Sequence, residues 1–200
     1  MDEIVKQAMR KWPDVPHCYG WLALDARGNW RMRDEQCQAQ GAPGDKITHA
    51  ALRGFIQRNY TCDSHGHWYF QNGPQRVYVD LEATPYIAHI DGGNNFVDQT
   101  GQAIADVIQI WMTESGQVIL QSADKIAQLD DRDVTQCLAD VRLNGAGATD
   151  EMVIAWMTGH VQTGSLMLHF FDQVLSIKHI LSEMLPECFG FVKKPRAIII

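Results

Sequence analysis

The sequence predicts an α+β protein of two related halves, each built from antiparallel β-hairpins with intervening helices. Three observations lead there. Short apolar runs alternate on either side of turn-forming tetrads, which is the period of strands rather than of helices. The first of these hairpins has a counterpart 88 residues later, where Gly116 falls on Gly28, Val118 on Trp30 and Leu120 on Met32. With 46% apolar and 20% charged residues among 200, the chain can bury a core without help from a metal or a disulfide.

The elements follow in order. Ile4, Val5, Ala8, Met9 and Trp12 share one face of an N-terminal helix that Pro13 ends by restricting Trp12. Trp21–Leu24 and Asn29–Arg33 flank Asp25-Ala26-Arg27-Gly28, a turn opened by Asp and closed by Gly. After the loop Gln40–Gly44, a helix is expected from about Asp45 to Tyr60, with Ile47, Ala51, Leu52, Phe55 and Ile56 on one stripe. Asp63-Ser64-His65-Gly66 is turn chemistry, and Trp68–Phe70 with Arg76–Leu81 forms a second hairpin around Asn72-Gly73-Pro74. Glu82-Ala83-Thr84-Pro85 breaks that strand, and Asp91–Asn95 reads as the best linker.

The second half follows the same plan. Ile110–Met112 and Gln117–Leu120 flank Thr113–Gly116. Asp130 is expected to cap a short helix carrying Val134, Cys137, Leu138 and Val141, and Thr149 another carrying Met152, Ala155, Trp156 and Met157. Beyond Gly159 and Gly164, residues 165–171 and 174–180 flank Asp172-Gln173 as a hairpin; one long helix over 149–185 is the rival reading. Leu166 and Leu168 correspond to Trp68 and Phe70 at an offset of 98, and Glu183–Pro186 echoes Glu82–Pro85. The expected organisation is a helix and lead-in over 1–18, a first repeat over 19–92, a second over 106–192 and a tail over 193–200.

Charge and cysteine usage narrow the function. Seventeen basic against 24 acidic residues give a net charge of −7, which repels a phosphate backbone, so nucleic acid is not an expected partner. No apolar run reaches the roughly 18 residues of a membrane span, and Met1-Asp2-Glu3-Ile4 lacks the basic start of a signal peptide. Five cysteines without regular spacing suit reduced thiols, so a cytoplasmic protein is expected.

Few residues assemble into chemistry. Cys62-x2-His65-x-His67 brings zinc-type ligands together, but no second pair at a familiar spacing completes a site, and an exposed turn is the ordinary alternative. Asp130-Asp131-Arg132-Asp133 has the carboxylates for a divalent cation, although such clusters more often support a helix N-terminus. No serine or cysteine nucleophile and no phosphate-binding glycine loop is evident. On the second hairpin, Arg76, Tyr78 and Asp80 share one strand face, with Glu82 next in line; a guanidinium, a phenol and carboxylates suit orienting a small ligand or a partner strand. The competing reading is an ordinary solvent-facing strand.

Leu24–Trp30, Trp68–Gly73 and Val79–Pro85, in the order hairpin, helix, hairpin, Glu-x-x-Pro, resemble a group of uncharacterised proteobacterial proteins of unknown function. The chain is similar, more distantly, to another uncharacterised bacterial family of repeated α/β motifs with a suggested signalling role. The resemblance implies a fold and brings no catalytic residue or cofactor. The expected function is therefore a non-catalytic cytoplasmic module binding a small molecule or a protein, without a cofactor. A metal-dependent enzyme using Cys62, His65 and His67 or the Asp130 cluster is the alternative. A homo-oligomer is a third reading, because Trp21, Trp30, Trp68 and Trp111 lie in hairpins whose aromatic faces need a cover.

Overall fold

Both early hairpins form, and they meet in one sheet. The computed structural model describes residues 1–158, 165–170 and 173–197 and divides into two units, Met1–Pro85 with Phe189–Ile200, and Tyr86–Cys188. Gly159, Gly164 and Asp172 lie outside the described residues.

The first unit opens with α1 (Glu3–Lys11), which stops at Trp12 before Pro13 as expected. Its apolar stripe is only partly covered: Val5 is buried and Ala8 and Met9 are half-buried, but Ile4 is 72% and Trp12 50% exposed. β1 (Cys18–Leu24) and β2 (Trp30–Met32) are closed by Asn29 C=O accepting from Asp25 N–H and Asp25 C=O from Gly28 N–H, both at 3.0 Å. Gly28 carries the left-handed φ of +76° that the turn requires. Next comes α2 (Glu35–Gln40), a helix not anticipated, capped by the Asp34 carboxylate on Cys37 N–H at 2.8 Å and ended by Gly41.

The helix expected from Asp45 to Tyr60 is shorter. Asp45–Lys46 is β3, an edge strand on β2, and only Ala50–Arg58 is helical (α3), with the His49 ring accepting from Leu52 N–H. The main chain at Ile47 donates to Trp30 C=O at 2.9 Å, so sheet pairing satisfies groups that a helix would otherwise have used. β4 (Tyr60–Cys62), β5 (Trp68–Asn72) and β6 (Gln75–Leu81) complete the order β3-β2-β1-β6-β5-β4. All pairs are antiparallel except β1 with β6.

The second unit begins with β7 (Tyr86–Ile90) and β8 (Phe96–Asp98). Asp91–Asn95, read as a linker, is the turn between them: the Asp91 carboxylate accepts from Gly93 and Asn95 N–H at 2.8 Å each. A run of Asp, Gly and Asn serves a tight hairpin as well as a tether. β9 (Gln109–Met112) and β10 (Val118–Gln121) form the expected hairpin, followed by β11 (Ile126–Leu129) and a short α4 (Val134–Cys137). Asp133, not Asp130, precedes that helix, and Val141 opens a strand, β12 (Val141–Leu143), ahead of β13 (Ala146–Gly147). Thr149 caps α5 (Asp150–Met157) as expected, accepting from Met152 N–H. Then β14 (Leu166–Phe170) and β15 (Gln173–His179) pair as a hairpin, so the single long helix is excluded. The echo at Glu183–Pro186 is one of sequence only: a 3-10 turn leads into α6 (Leu185–Phe189), where Glu82–Pro85 is irregular.

The two sheets follow one pairing scheme. The order β11-β10-β9-β15-β14-β12 in the nine-stranded sheet parallels β3-β2-β1-β6-β5-β4, with β13 and the β7–β8 hairpin added at the edges. Registers agree as well. Leu22↔Val79 and Leu24↔Leu81 across the first parallel pair become Ile110↔Ile177 and Met112↔His179 across the second. Tyr69↔Tyr78 and Phe70↔Val77 become Met167↔Ser176 and Leu168↔Leu175. The central strands of the second sheet supply its core, with Ile110, Leu120 and Leu168 fully buried. Of the four hairpin tryptophans, Trp30 is buried, Trp68 and Trp111 are half-buried, and only Trp21 is exposed, so no continuous bare aromatic face exists among them.

Candidate functional site

Arg76, Tyr78 and Asp80 do share a face, but it is not an open one. β6 lies between β1 and β5, and Tyr78 and Asp80 are 4% and 5% exposed. Tyr78 stacks on Tyr19 with ring centroids 4.6 Å apart and places its hydroxyl 3.3 Å from Asp63 Oδ2. The Arg76 guanidinium lies over the Tyr69 ring at 4.7 Å. Asp80 accepts from Arg33 at 2.7 Å and from both terminal nitrogens of Arg196 at 2.7 and 3.2 Å. A carboxylate this buried persists only when paired, and two guanidinium groups serve it. Glu82, past the end of the strand, is exposed and accepts from Ala26 N–H at 3.1 Å. The polar alternation seen in the sequence is therefore an internal network, because segments distant in sequence lie over a central strand.

The thiol and imidazole groups near Gly66 serve the turn. Cys62 Sγ donates to Asp63 C=O at 3.2 Å, and His67 Nδ1 lies 3.2 Å from Asp63 Oδ2. Burial acts to raise the Asp63 pKa, but the N–H groups of His67 and His65 outweigh it and hold the carboxyl below its ordinary value. Burial and the Asp63 charge push the Cys62 thiol up to about 11. Among the described residues, no group of three or more His, Cys, Asp or Glu side chains is arranged to hold a metal. The Asp130 cluster is likewise committed to protein partners: Asp130 is fully buried and takes Arg132 Nε at 2.8 Å and Arg132 N–H at 2.9 Å, Asp133 accepts from Ile90 N–H at 3.0 Å, and the His89 ring nitrogen lies 3.4 Å from Asp130. One outcome follows directly. Burial also raises Cys137, to about 12, so iodoacetamide at pH 8 leaves Cys62 and Cys137 unmodified in the folded protein while exposed Cys188 reacts. Peptide mass mapping reads this out, and early labelling of Cys62 contradicts it.

The other face of the same sheet holds an open cavity. Phe70, Val77 and Leu22 line its floor from three neighbouring strands, and α3 closes one side with Leu52, Phe55 and Ile56. Phe55 meets Phe70 edge to face at 5.3 Å. Trp21 and Met32 complete the rim, and the volume is about 380 Å³, within the range of small-molecule sites. Trp21 (40%), Met32 (46%) and Leu52 (36%) are large apolar side chains left exposed, and all three border this one hollow. The polar groups on its wall are Cys18 and Asn72. In the sequence, Leu52 and Phe55 are indistinguishable from core residues of an amphipathic helix; Trp21 was the visible signal.

A family model described as protein of unknown function (DUF2946) matches residues 1–196. No curated protein matches the chain. A DUF1285 family protein from Silicibacter pomeroyi DSS-3 is similar in structure, with 11% identity, a TM-score of 0.49, and coverage of 92% of this chain and 98% of that one. A second DUF1285 family protein, from Shewanella baltica OS155, is 15% identical with a TM-score of 0.40, covering 56% of this chain and 86% of that one. The resemblance to an uncharacterised family is thus the relationship found.

Proposed function

This chain belongs to that family of proteins of unknown function, and we propose that its first unit is a non-catalytic module binding a small, uncharged, predominantly apolar molecule between α3 and the sheet. The carrying observation is the convergence of Trp21, Met32 and Leu52, exposed, on one concave apolar hollow. Leaving such groups in water is unfavourable by about 25 cal/mol per Å² of apolar surface, and a ligand relieves this. The matched strand order and registers of the two sheets support an internal repeat in which this hollow belongs to the first copy. Five free cysteines support a reducing, cytoplasmic setting. Among the described residues no helix is long and apolar enough to cross a membrane.

A ligand of about twelve non-hydrogen atoms gaining about 0.5 kcal/mol for each binds with a dissociation constant of about 40 µM. Calorimetric titration with 2-naphthol, and separately with octan-1-ol, is expected to show saturable binding at one site per chain. Leu52→Arg, which places a charge on the rim from a partly exposed helix position, is expected to weaken binding at least about tenfold with little change in thermal stability. Heats that do not saturate, or binding indifferent to Leu52→Arg, would remove this reading.

A further inference from the structure

On the polar side of the first sheet, the geometry points to a separate site for a small oxyanion, a phosphate or a carboxylate, held by Arg31, Arg33 and Lys194. These residues line a hollow of about 160 Å³ together with Asp25, Asp80 and Glu82. The argument is a count of unused hydrogen-bonding capacity. Asp25 already accepts from the N–H groups of Arg27 and Asn29, from the Asn29 amide and from Arg31 Nε. Asp80 is occupied by Arg33 and Arg196. The cations are less used. Arg31 spends Nε on Asp25 and Nη1 on Gly44 C=O, while Arg33 spends Nε on Ala42 C=O and Nη1 on Asp80.

Each guanidinium has five N–H groups, so both retain donors at Nη2, and the Lys194 ammonium has no acceptor among the described residues. Arg33 is largely buried, with 12% of its side chain exposed, and is fixed at two points, which removes most of the ordering cost of binding. Spare fixed donors beside saturated carboxylates select an acceptor-rich anion. The second oxygen of Glu82, exposed at the rim, takes no donor among the described residues and favours an oxyanion that carries a hydroxyl of its own, such as hydrogen phosphate.

This site is independent of the apolar hollow, since the residues lining the two differ throughout. It is tested by titrating inorganic phosphate and, separately, acetate at constant ionic strength, following amide and Arg Nε–Hε signals by NMR. Saturable millimolar binding of phosphate, weakened about fivefold by Lys194→Gln and by Arg31→Gln, is expected; fivefold is the upper end for a partly exposed ion pair. Tighter binding of acetate than of phosphate assigns the site to carboxylates, the same chemistry from another source. Absence of saturation with both anions, or saturation that neither substitution alters, overturns the proposal. Lys194 is exposed, so its substitution leaves the fold intact and a loss of binding is attributable to the site.

Discussion

Lys125→Met is expected to lower the stability of the second unit by about 3–5 kcal/mol, the range for stranding a buried charge by removing its partner. The Asp98 side chain has no exposed surface, and the Lys125 side chain, 9% exposed, places its ammonium 2.8 Å from Asp98 Oδ2. The other carboxylate oxygen is committed to the turn after β8, where it accepts from Thr100 and Gln102 N–H at 2.8 and 3.2 Å. Methionine fills the space of the lysine stem but leaves a carboxylate with nothing to neutralise it. Asp98→Asn in the Lys125→Met background keeps an acceptor for the turn and removes the charge, so it should restore most of the loss. Urea unfolding of the wild type, the single variants and the double variant closes the cycle. A cost under about 1 kcal/mol for Lys125→Met would mean that water reaches Asp98 and that the pair is not a buried one.

What the sequence revealed divides along the range of the interactions. Asp25–Gly28, Thr113–Gly116 and Asn72–Pro74 announce their hairpins because turn chemistry is local, and the alternation beside each fixes which residues share a face. The pairing of β1 with β6 joins residues some 57 apart, as in Leu24↔Leu81, and no local pattern announces it. That long-range pairing is what buries Tyr78 and Asp80 on a face expected to be open, with Arg76 half-buried beside them. The edge strand β3 is silent in the sequence for the same reason: Asp45 and Lys46 have poor strand propensity, and their pairing depends on Arg31 and Met32. α2 is legible in the sequence, since Asp34 before it and Gly41 after it are ordinary helix punctuation. The apolar hollow was not legible. A stripe of Leu52, Phe55 and Ile56 has the same periodicity whether the space beneath it is filled or empty.

Gly66→Ala should cost about 3 kcal/mol, whereas Gly41→Ala should cost about 1 kcal/mol, and the difference isolates how the C-terminal segment docks. Both glycines adopt left-handed backbone, with φ of +79° and +65°, so both substitutions carry the conformational penalty of about 1–2 kcal/mol. Their surroundings differ. A Cβ on Gly41 meets nothing within 4 Å, but one on Gly66 would stand 2.4 Å from Gly190 O and 3.2 Å from Phe191 Cα. These are backbone atoms and cannot swing aside as a side-chain end would. Relief requires residues 190–192 to shift, which stretches the 2.9 Å bond from Val192 N–H to Gly66 C=O and disturbs Phe191, 4% exposed. Crowding of that kind adds about 1–3 kcal/mol. Denaturant unfolding gives the two energies, and limited proteolysis should cut near residue 190 faster in Gly66→Ala than in Gly41→Ala. Equal costs and equal cleavage would show that the segment yields freely, and that its close approach to the Asp63–Gly66 turn contributes little to the first unit.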